Sequence, residues 1–243
     1  MMFENTRQKK IFDIISKKGS VSVDFLAKHF HVSKMTIRRD LEKLQEEDLL
    51  QRTHGGAMLP QVLFKEMTYL EKQTQNIEVK RQIANDALAY VVENSVIYLD
   101  AGTTTFELAK YLIDRKDVQV VTNDLRIASH LANAGIRVFI PGGLVSSDTG
   151  SIHSAEAIDF LENLNIDISF LAASSVDNEL NVCTPNEEKV LLKKYMIKNV
   201  PMNVLLVDGS KFHQKAIHRV FNLSEVDYVV TDYKGNLEVE KKG

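Results

Sequence analysis

Near the start of the chain, apolar residues recur at three- and four-residue spacing. From about residue 96 onward they gather instead into short β-branched runs. The first regime predicts helices and the second predicts strands. Between Asn5 and about Lys18, Ile11, Ile14 and Ile15 mark one helical face, which Gly19 is placed to end. Ser22 can cap a second, short helix with the apolar face Phe25, Leu26 and Phe30. His31 and Val32 make a turn. Ser33 then starts a third helix to about Glu47, whose buried stripe is Ile37, Leu41 and Leu44. A strand is expected over residues 49–52, and Gly55 and Gly56 supply the freedom of a tight hairpin turn. Residues 1–59 are therefore expected to form a winged helix-turn-helix. Residues 60–76 carry weak periodicity and several Gln, Lys and Glu residues, and read as a linker that is helical in part. Beyond it, strand-like runs at 96–99, 118–121, 136–140, 168–172, 204–207 and 228–230 alternate with helical stretches at 77–92, 104–113, 125–134, 155–164 and 187–198. That alternation predicts an α/β domain over 77–243 with a mostly parallel sheet covered by helices.

Composition narrows the class. With 243 residues, 44% hydrophobic and 26% charged, the chain has room for two unequal domains. No uncharged apolar run is long enough to span a membrane, and the first ten residues lack the apolar centre of a signal peptide. A cytoplasmic protein without membrane association is expected. Cys183 is the sole cysteine, which excludes an internal disulfide. His130, His153, His213 and His218 show no metal-ligand spacing with it or with one another, so neither metal nor cofactor is expected. The formal charge of −3 is divided unevenly. Residues 1–57 hold eleven Lys or Arg against eight Asp or Glu, a balance of +3, which leaves −6 for the rest. A small cationic module joined to a larger acidic body is the pattern of a protein whose one end meets nucleic acid.

The third helix carries that expectation. Ser33, Lys34, Thr36, Arg38 and Arg39 lie on its first turns, opposite the buried stripe. In a helix-turn-helix these positions enter the major groove, where some side chains touch base edges and others hold phosphates. Arg38 and Arg39 project about 100° apart, so one should face bases while the other lies nearer the backbone or Asp40 and Glu42. Which of them reads bases is open. Lys34 and Thr36 are expected on phosphate, and Arg52 and His54 sit at the hairpin. Taken singly, each residue is more commonly a solvated charge or a simple cap. The run from Gly19 to Leu44, G-S-V-S-V-D-F-L-A-K-H-F-H-V-S-K-M-T-I-R-R-D-L-E-K-L, followed by R-T-H-G-G-A at 52–57, closely resembles the N-terminal signature of the DeoR family of bacterial transcription regulators.

The second half offers a candidate anion site. V-I-Y-L-D-A-G-T-T-T ends a strand at Asp100, turns at Gly102, and opens a helix with Thr103, Thr104 and Thr105. Free N–H groups at a helix start, with hydroxyls beside them, suit phosphate. Thr122 and Asn123 end another strand, Gly142 and Gly143 a third, and Lys211 follows a fourth. Ligands of open parallel sheets sit outside these strand ends. D-x-G-T-T-T, T-N, G-G and D-x-S-K also resemble the motifs of the DeoR family's C-terminal sensor domain. That resemblance implies a fold like ribose-5-phosphate isomerase and a phosphorylated sugar or sugar derivative as effector. It also frames a rival, a sugar-phosphate isomerase-like enzyme with a DNA-binding appendage. Those isomerases use the acidic run D-G-A-D-E-V-D, whereas residues 171–177 here read L-A-A-S-S-V-D and keep only Asp177. Serine is a poor general base without activation, so binding is expected to survive and catalysis is not. Asp177 stays among the effector-binding candidates.

Together these expectations describe a transcription regulator, a repressor of a sugar-metabolism operon released by a phosphorylated sugar, with an activator or corepressor left open. A single small reading head contacts few base pairs, so a homo-oligomer (dimer or tetramer) on repeated half-sites is expected.

Overall fold

A computed structural model of the chain describes residues 6–18, 20–47, 49–53, 55–58, 62–63 and 68–235, with only the backbone of residues 16, 17, 62 and 63. Gly19 and His54 lie outside the described residues.

The N-terminal unit has three helices, α1 (Thr6–Lys18), α2 (Val23–Phe30) and α3 (Lys34–Glu46). Strands β1 (Ser20–Ser22), β2 (Gln51–Thr53) and β3 (Gly56–Met58) form a small antiparallel sheet in the order β1-β3-β2. Ile11, Ile15, Leu26, Ile37, Leu41 and Leu44 share its core, as the helical spacing requires. Ser22 caps α2 by accepting from the Phe25 N–H, and Ser33 caps α3 by accepting from the Thr36 N–H. His31 makes the turn between them with a left-handed backbone, φ 53°. Gly56 has to be glycine for contact reasons: a Cβ there would lie 1.9 Å from the Val21 carbonyl oxygen across the β1–β3 pair. This is the expected winged helix-turn-helix.

Two short elements follow. Strand β4 (Val62–Leu63) pairs in parallel with β12 (Gln214–Lys215) far along the chain. Helix α4 (Tyr69–Thr74) opens on a capping box, in which Thr68 accepts from the Glu71 N–H while Glu71 accepts from the Thr68 N–H. Tyr69 is buried, with the Arg126 guanidinium 3.9 Å from its ring centroid. Strand β4 and helix α4 are therefore both attached to the second half.

The α/β body alternates α5 (Ile77–Ala87), β5 (Val96–Leu99), α6 (Thr103–Tyr111), β6 (Gln119–Thr122), α7 (Leu125–Asn133), β7 (Arg137–Phe139), α8 (Ala155–Leu161) and β8 (Ile168–Ala172). After β9 (Ser175–Val176) and β10 (Asn181–Thr184) come α9 (Glu188–Asn199), β11 (Met202–Leu206), β12, β13 (His218–Asn222) and β14 (Tyr228–Val230). All pairings in the six-stranded sheet, ordered β14-β11-β8-β5-β6-β7, are parallel. The six apolar runs read from the sequence are these six strands. One core cluster, with Ile97, Leu99, Val120, Phe170, Val204 and Leu206, packs against α5, α6 and α7. The other, with Tyr98, Val121, Leu171 and Leu205, packs against α8 and α9. Alternate residues of one strand point to opposite faces, so the runs are mostly apolar because both faces are covered, with Gln119, Arg137 and Ser169 as polar exceptions. A second, antiparallel sheet of order β13-β10-β9 was not expected.

Candidate functional site

The exposed face of α3 carries the first candidate surface. Ile37, Leu41 and Leu44 point inward, leaving Lys34, Arg38 and Arg39 exposed. Ser33 Oγ lies 2.9 Å from Thr36 Oγ1, so both hydroxyls sit at the start of the helix. Asp40 is buried and held by Arg7 on α1, with Nε–Oδ2 at 2.6 Å and Nη2–Oδ1 at 3.2 Å. Arg52 on β2 holds Glu42 at 2.6 Å. The two carboxylates nearest the arginine pair are thus engaged by other arginines. Among the described residues neither Arg38 nor Arg39 makes a hydrogen bond or ion pair, so both guanidinium groups are free for an outside partner. Lys34 meets Asp24 at 2.8 Å, but both side chains are more than half exposed, and such a pair exchanges readily for a phosphate.

The second site is a small recess at the carboxyl ends of the central strands. Asp100, Gly102, Thr103 and Thr104 line it from the β5–α6 turn, and Lys211 lines it from the turn after β11. The first N–H groups of α6 open there because helix geometry leaves them no internal acceptor. Gly102 lets the turn close against β8, since a Cβ would come within 2.9 Å of the Ala172 side chain. Four further lysines converge on the space: Lys72 from α4, Lys80 from α5, and Lys189 and Lys193 from α9. Five lysines thus face two carboxylates, Asp100 and Asp208.

These charges are held in place. Asp100 Oδ2 accepts from the Ala172 N–H at 3.0 Å and from Lys193 Nζ, and Lys193 also donates to the Ala172 carbonyl at 2.6 Å. Lys80 Nζ donates to the Lys72 carbonyl. Burial brings the Lys72 ammonium down to about 7, and Lys189, Lys211, Lys80 and Lys193 push it the same way. Burial likewise lowers Lys80 and Lys189. Ammonium groups whose charge burial disfavours gain a compensating partner when an anion enters.

His153 closes one side of the recess. Asn123 Oδ1 accepts from Tyr98 Oη at 3.1 Å and from the Ala101 N–H at 2.9 Å, which leaves its amide nitrogen to donate to His153 Nδ1 at 3.3 Å. Nε2 then carries the ring proton and donates to Ser151 Oγ at 2.8 Å. Burial, aided by Lys189 and Lys193, lowers this histidine to about 4, so the ring is neutral at neutral pH.

The remaining effector-binding candidates lie elsewhere. Thr105 is fully buried and donates to the Asp100 and Gly102 carbonyls, which shapes the turn from behind. Thr122 is fully buried and donates to the Leu99 carbonyl, joining β6 to β5. Asn123, also buried, ties Ala101 to the 152–153 segment. Gly142 and Gly143 are exposed beyond β7 and do not line the recess. Asp177 sits in the β9–β10 turn, accepting from the Glu179 and Asn181 N–H groups at 2.9 Å. Lys72, Lys80, Lys189, Lys193 and His153 were not anticipated. The spacing of Lys189 and Lys193, one helical turn apart beside Leu192 and Met196, was the available signal.

Among the described residues, no group of His, Cys, Asp and Glu is arranged for a metal ion, and no helix is long and apolar enough to cross a membrane.

A helix-turn-helix whose exposed arginines are unengaged, joined to an α/β body with a lysine-lined recess at its strand ends, is the build of a DNA-binding regulator. Relatives agree. The family model for the DeoR-like helix-turn-helix domain matches residues 7–62, and that for the DeoR C terminal sensor domain matches residues 75–233. The HTH-type transcriptional regulator GlpR of Haloferax volcanii is 34% identical, covering 99% of this chain and 94% of that protein. The glycerol-3-phosphate regulon repressor of Escherichia coli is 33% identical, covering 95% and 92%. A solved ribose 5-phosphate isomerase A from Methanocaldococcus jannaschii overlaps 57% of this chain and 55% of its own, with 19% identity and a TM-score of 0.43. The chain belongs to the DeoR family of transcriptional regulators. That membership puts it with regulators and not with the isomerases.

Proposed function

We propose that the protein represses an operon for the use of a phosphorylated sugar or related polyol, and releases its operator when that metabolite enters the lysine recess. The observation that carries this is the convergence of Lys72, Lys80, Lys189, Lys193 and Lys211 on the N-terminus of α6. Such a concentration of positive charge in a concave site matches a phosphate dianion. The names of the relatives, a glycerol-3-phosphate regulon repressor and a putative aga operon repressor, support the same class of operon.

On α3, Ser33, Lys34, Thr36, Arg38 and Arg39, with Arg52 of the wing, are the DNA-contacting set. Two or more copies of the chain bind repeated half-sites, since one reading head covers too few base pairs. The effector acts through the segment between the halves. Lys72 lies on α4, and β4 pairs with β12, which begins three residues after Lys211. An anion that draws Lys72 and Lys211 together therefore bears on both attachments of that segment.

The test is fluorescence anisotropy on labelled operator DNA from the protein's own gene neighbourhood, with a series of sugar and polyol phosphates added. One of them should weaken operator binding, and by linkage the operator should weaken that ligand's binding by the same factor. Operator affinity unmoved by every member of the series would refute the proposal.

A further inference from the structure

Beside the lysine recess lies a buried acceptor without a donor. Asp124 follows β6 and is 1% exposed. Its Oδ1 caps α7, accepting from the Arg126 N–H at 2.8 Å and the Ile127 N–H at 3.3 Å. Its Oδ2 is buried and has no hydrogen-bond partner. Buried polar atoms are nearly always paired, and an unpaired carboxylate oxygen in a cavity wall marks where a donor is missing. Burial pushes this carboxyl up to about 6, while the two backbone donors and the Arg126 charge act in the opposite direction. At neutral pH it is still an anion, and therefore acceptor only.

The cavity that Asp124 lines is an extension of the recess. Its other walls are Tyr69, Thr149 and Ser151, together with Lys72, Ala101, Gly102, Thr103 and Lys189, which line both spaces. One side of the combined space is cationic. The other presents hydroxyl groups and one carboxylate oxygen. A cationic donor is disfavoured by the lysines and by Arg126, which leaves a neutral O–H as the donor that fits.

We infer that Asp124 Oδ2 accepts a hydrogen bond from a hydroxyl of the ligand, so that the effector is a phosphomonoester with at least one free hydroxyl on its carbon frame. This rests on the lysine recess being the effector site. The phosphate is held at α6 and the lysines, and the carbon frame extends toward Tyr69, Thr149 and Asp124. Discrimination then comes from Asp124, because a ligand without the hydroxyl leaves the carboxylate buried and unpaired.

The experiment is calorimetric titration of the full chain with inorganic phosphate, propyl phosphate, glycerol 3-phosphate, ribose 5-phosphate and glucose 6-phosphate, repeated on Asp124→Asn. Asparagine keeps the cap through its carbonyl oxygen and replaces Oδ2 with a donor. Asp124→Ser also caps a helix and serves the same purpose if the first variant does not fold. At least one hydroxylated phosphate should bind about 10-fold or more tightly than propyl phosphate to the wild type. The variant should lose that advantage and hold propyl phosphate at least as tightly, because a carboxylate near the phosphate is gone. Equal binding of propyl phosphate and every hydroxylated probe overturns the inference, as does an advantage that survives Asp124→Asn. If no probe binds, inorganic phosphate included, the effector site itself is refuted and the inference falls with it.

Discussion

Lys72→Met is the perturbation that tests the electrostatics of the recess directly. In the free protein Lys72 titrates near pH 7, because burial and the ammonium groups of Lys189, Lys211, Lys80 and Lys193 disfavour its charge. At pH 7 it is about half protonated, and at pH 8 about one-tenth. A dianion about 4 Å away, at an effective dielectric near 20, favours the ammonium form by about 4 kcal/mol per unit charge. That is about three pKa units, enough to return Lys72 close to an ordinary lysine. Binding must therefore take up about half a proton at pH 7 and about 0.9 at pH 8 through this group alone. Lys80 and Lys189, also lowered, add uptake of the same sign, while His153 stays neutral and Asp100 and Asp208 supply the opposing charge.

The pH window follows from the free and bound values. The depressed group belongs to the free protein, so its attraction for the anion is fully present below pH 7 and is lost as pH rises above it. Below about pH 6 the second ionisation of the phosphate removes the dianion. Affinity should peak between these limits and fall about tenfold per pH unit above pH 8. Calorimetry at pH 8 in two buffers of different ionisation enthalpy measures the uptake directly. Lys72→Met should lower it by about 0.9 proton and weaken binding at pH 6.5 by about 10- to 100-fold. Identical uptake in wild type and variant, or net proton release, would refute the account.

Arg38→Ala combined with Arg39→Ala should abolish operator preference in gel shifts while leaving ligand titrations unchanged, because neither guanidinium contributes to the fold through a hydrogen bond or ion pair among the described residues. Gly56→Ala has no room for its methyl group against the Val21 carbonyl, so it should shift β3 from β1, cost about 1–3 kcal/mol in denaturant unfolding and weaken operator binding. Asp40→Ala leaves Arg7 without its carboxylate and should destabilise the N-terminal unit by about 1–3 kcal/mol, read from the circular-dichroism melting curve; an unchanged curve would mean that the α1–α3 pair contributes nothing.

The parts of this molecule that a sequence discloses are those governed by periodicity. Ile37, Leu41 and Leu44 repeat at helical spacing and pack inward. The runs at 97–99, 120–121 and 204–207 are apolar without interruption because helices cover both faces of the sheet. Strands β9, β10 and β13 escaped notice because they are short and mix Ser, Asn, Thr, His and Arg with apolar residues, a composition no different from a loop. The recess was legible where backbone geometry demanded particular residues, as at Gly102, Thr103 and Thr104, and at Lys211 just past a strand end.

Within those motifs, neighbouring residues have opposite roles that one-dimensional spacing cannot separate. Thr104 lines the recess, whereas Thr105, one position on, turns back to the Asp100 carbonyl. Thr122 and Asn123 stitch β6 to the adjacent turns, and the next residue, Asp124, lines the neighbouring cavity and keeps one buried oxygen unpaired. The lysines pose the converse difficulty, since a lysine on a helix is normally solvated and the one-turn spacing of Lys189 and Lys193 beside Leu192 and Met196 is a faint local mark of burial. They become buried because α9 packs its Lys189–Lys193 face over Asp100, a carboxylate of the β5–α6 turn, nearly a hundred positions earlier. A site whose electrostatics come from α4, α5, α9 and the turn after β11 is a property of the topology, and the six-stranded parallel order is what brings those four elements to one edge. The same topology places Lys72 on the segment leading to the helix-turn-helix unit, so in the proposed mechanism the charge that attracts the ligand and the element that responds to it are one helix.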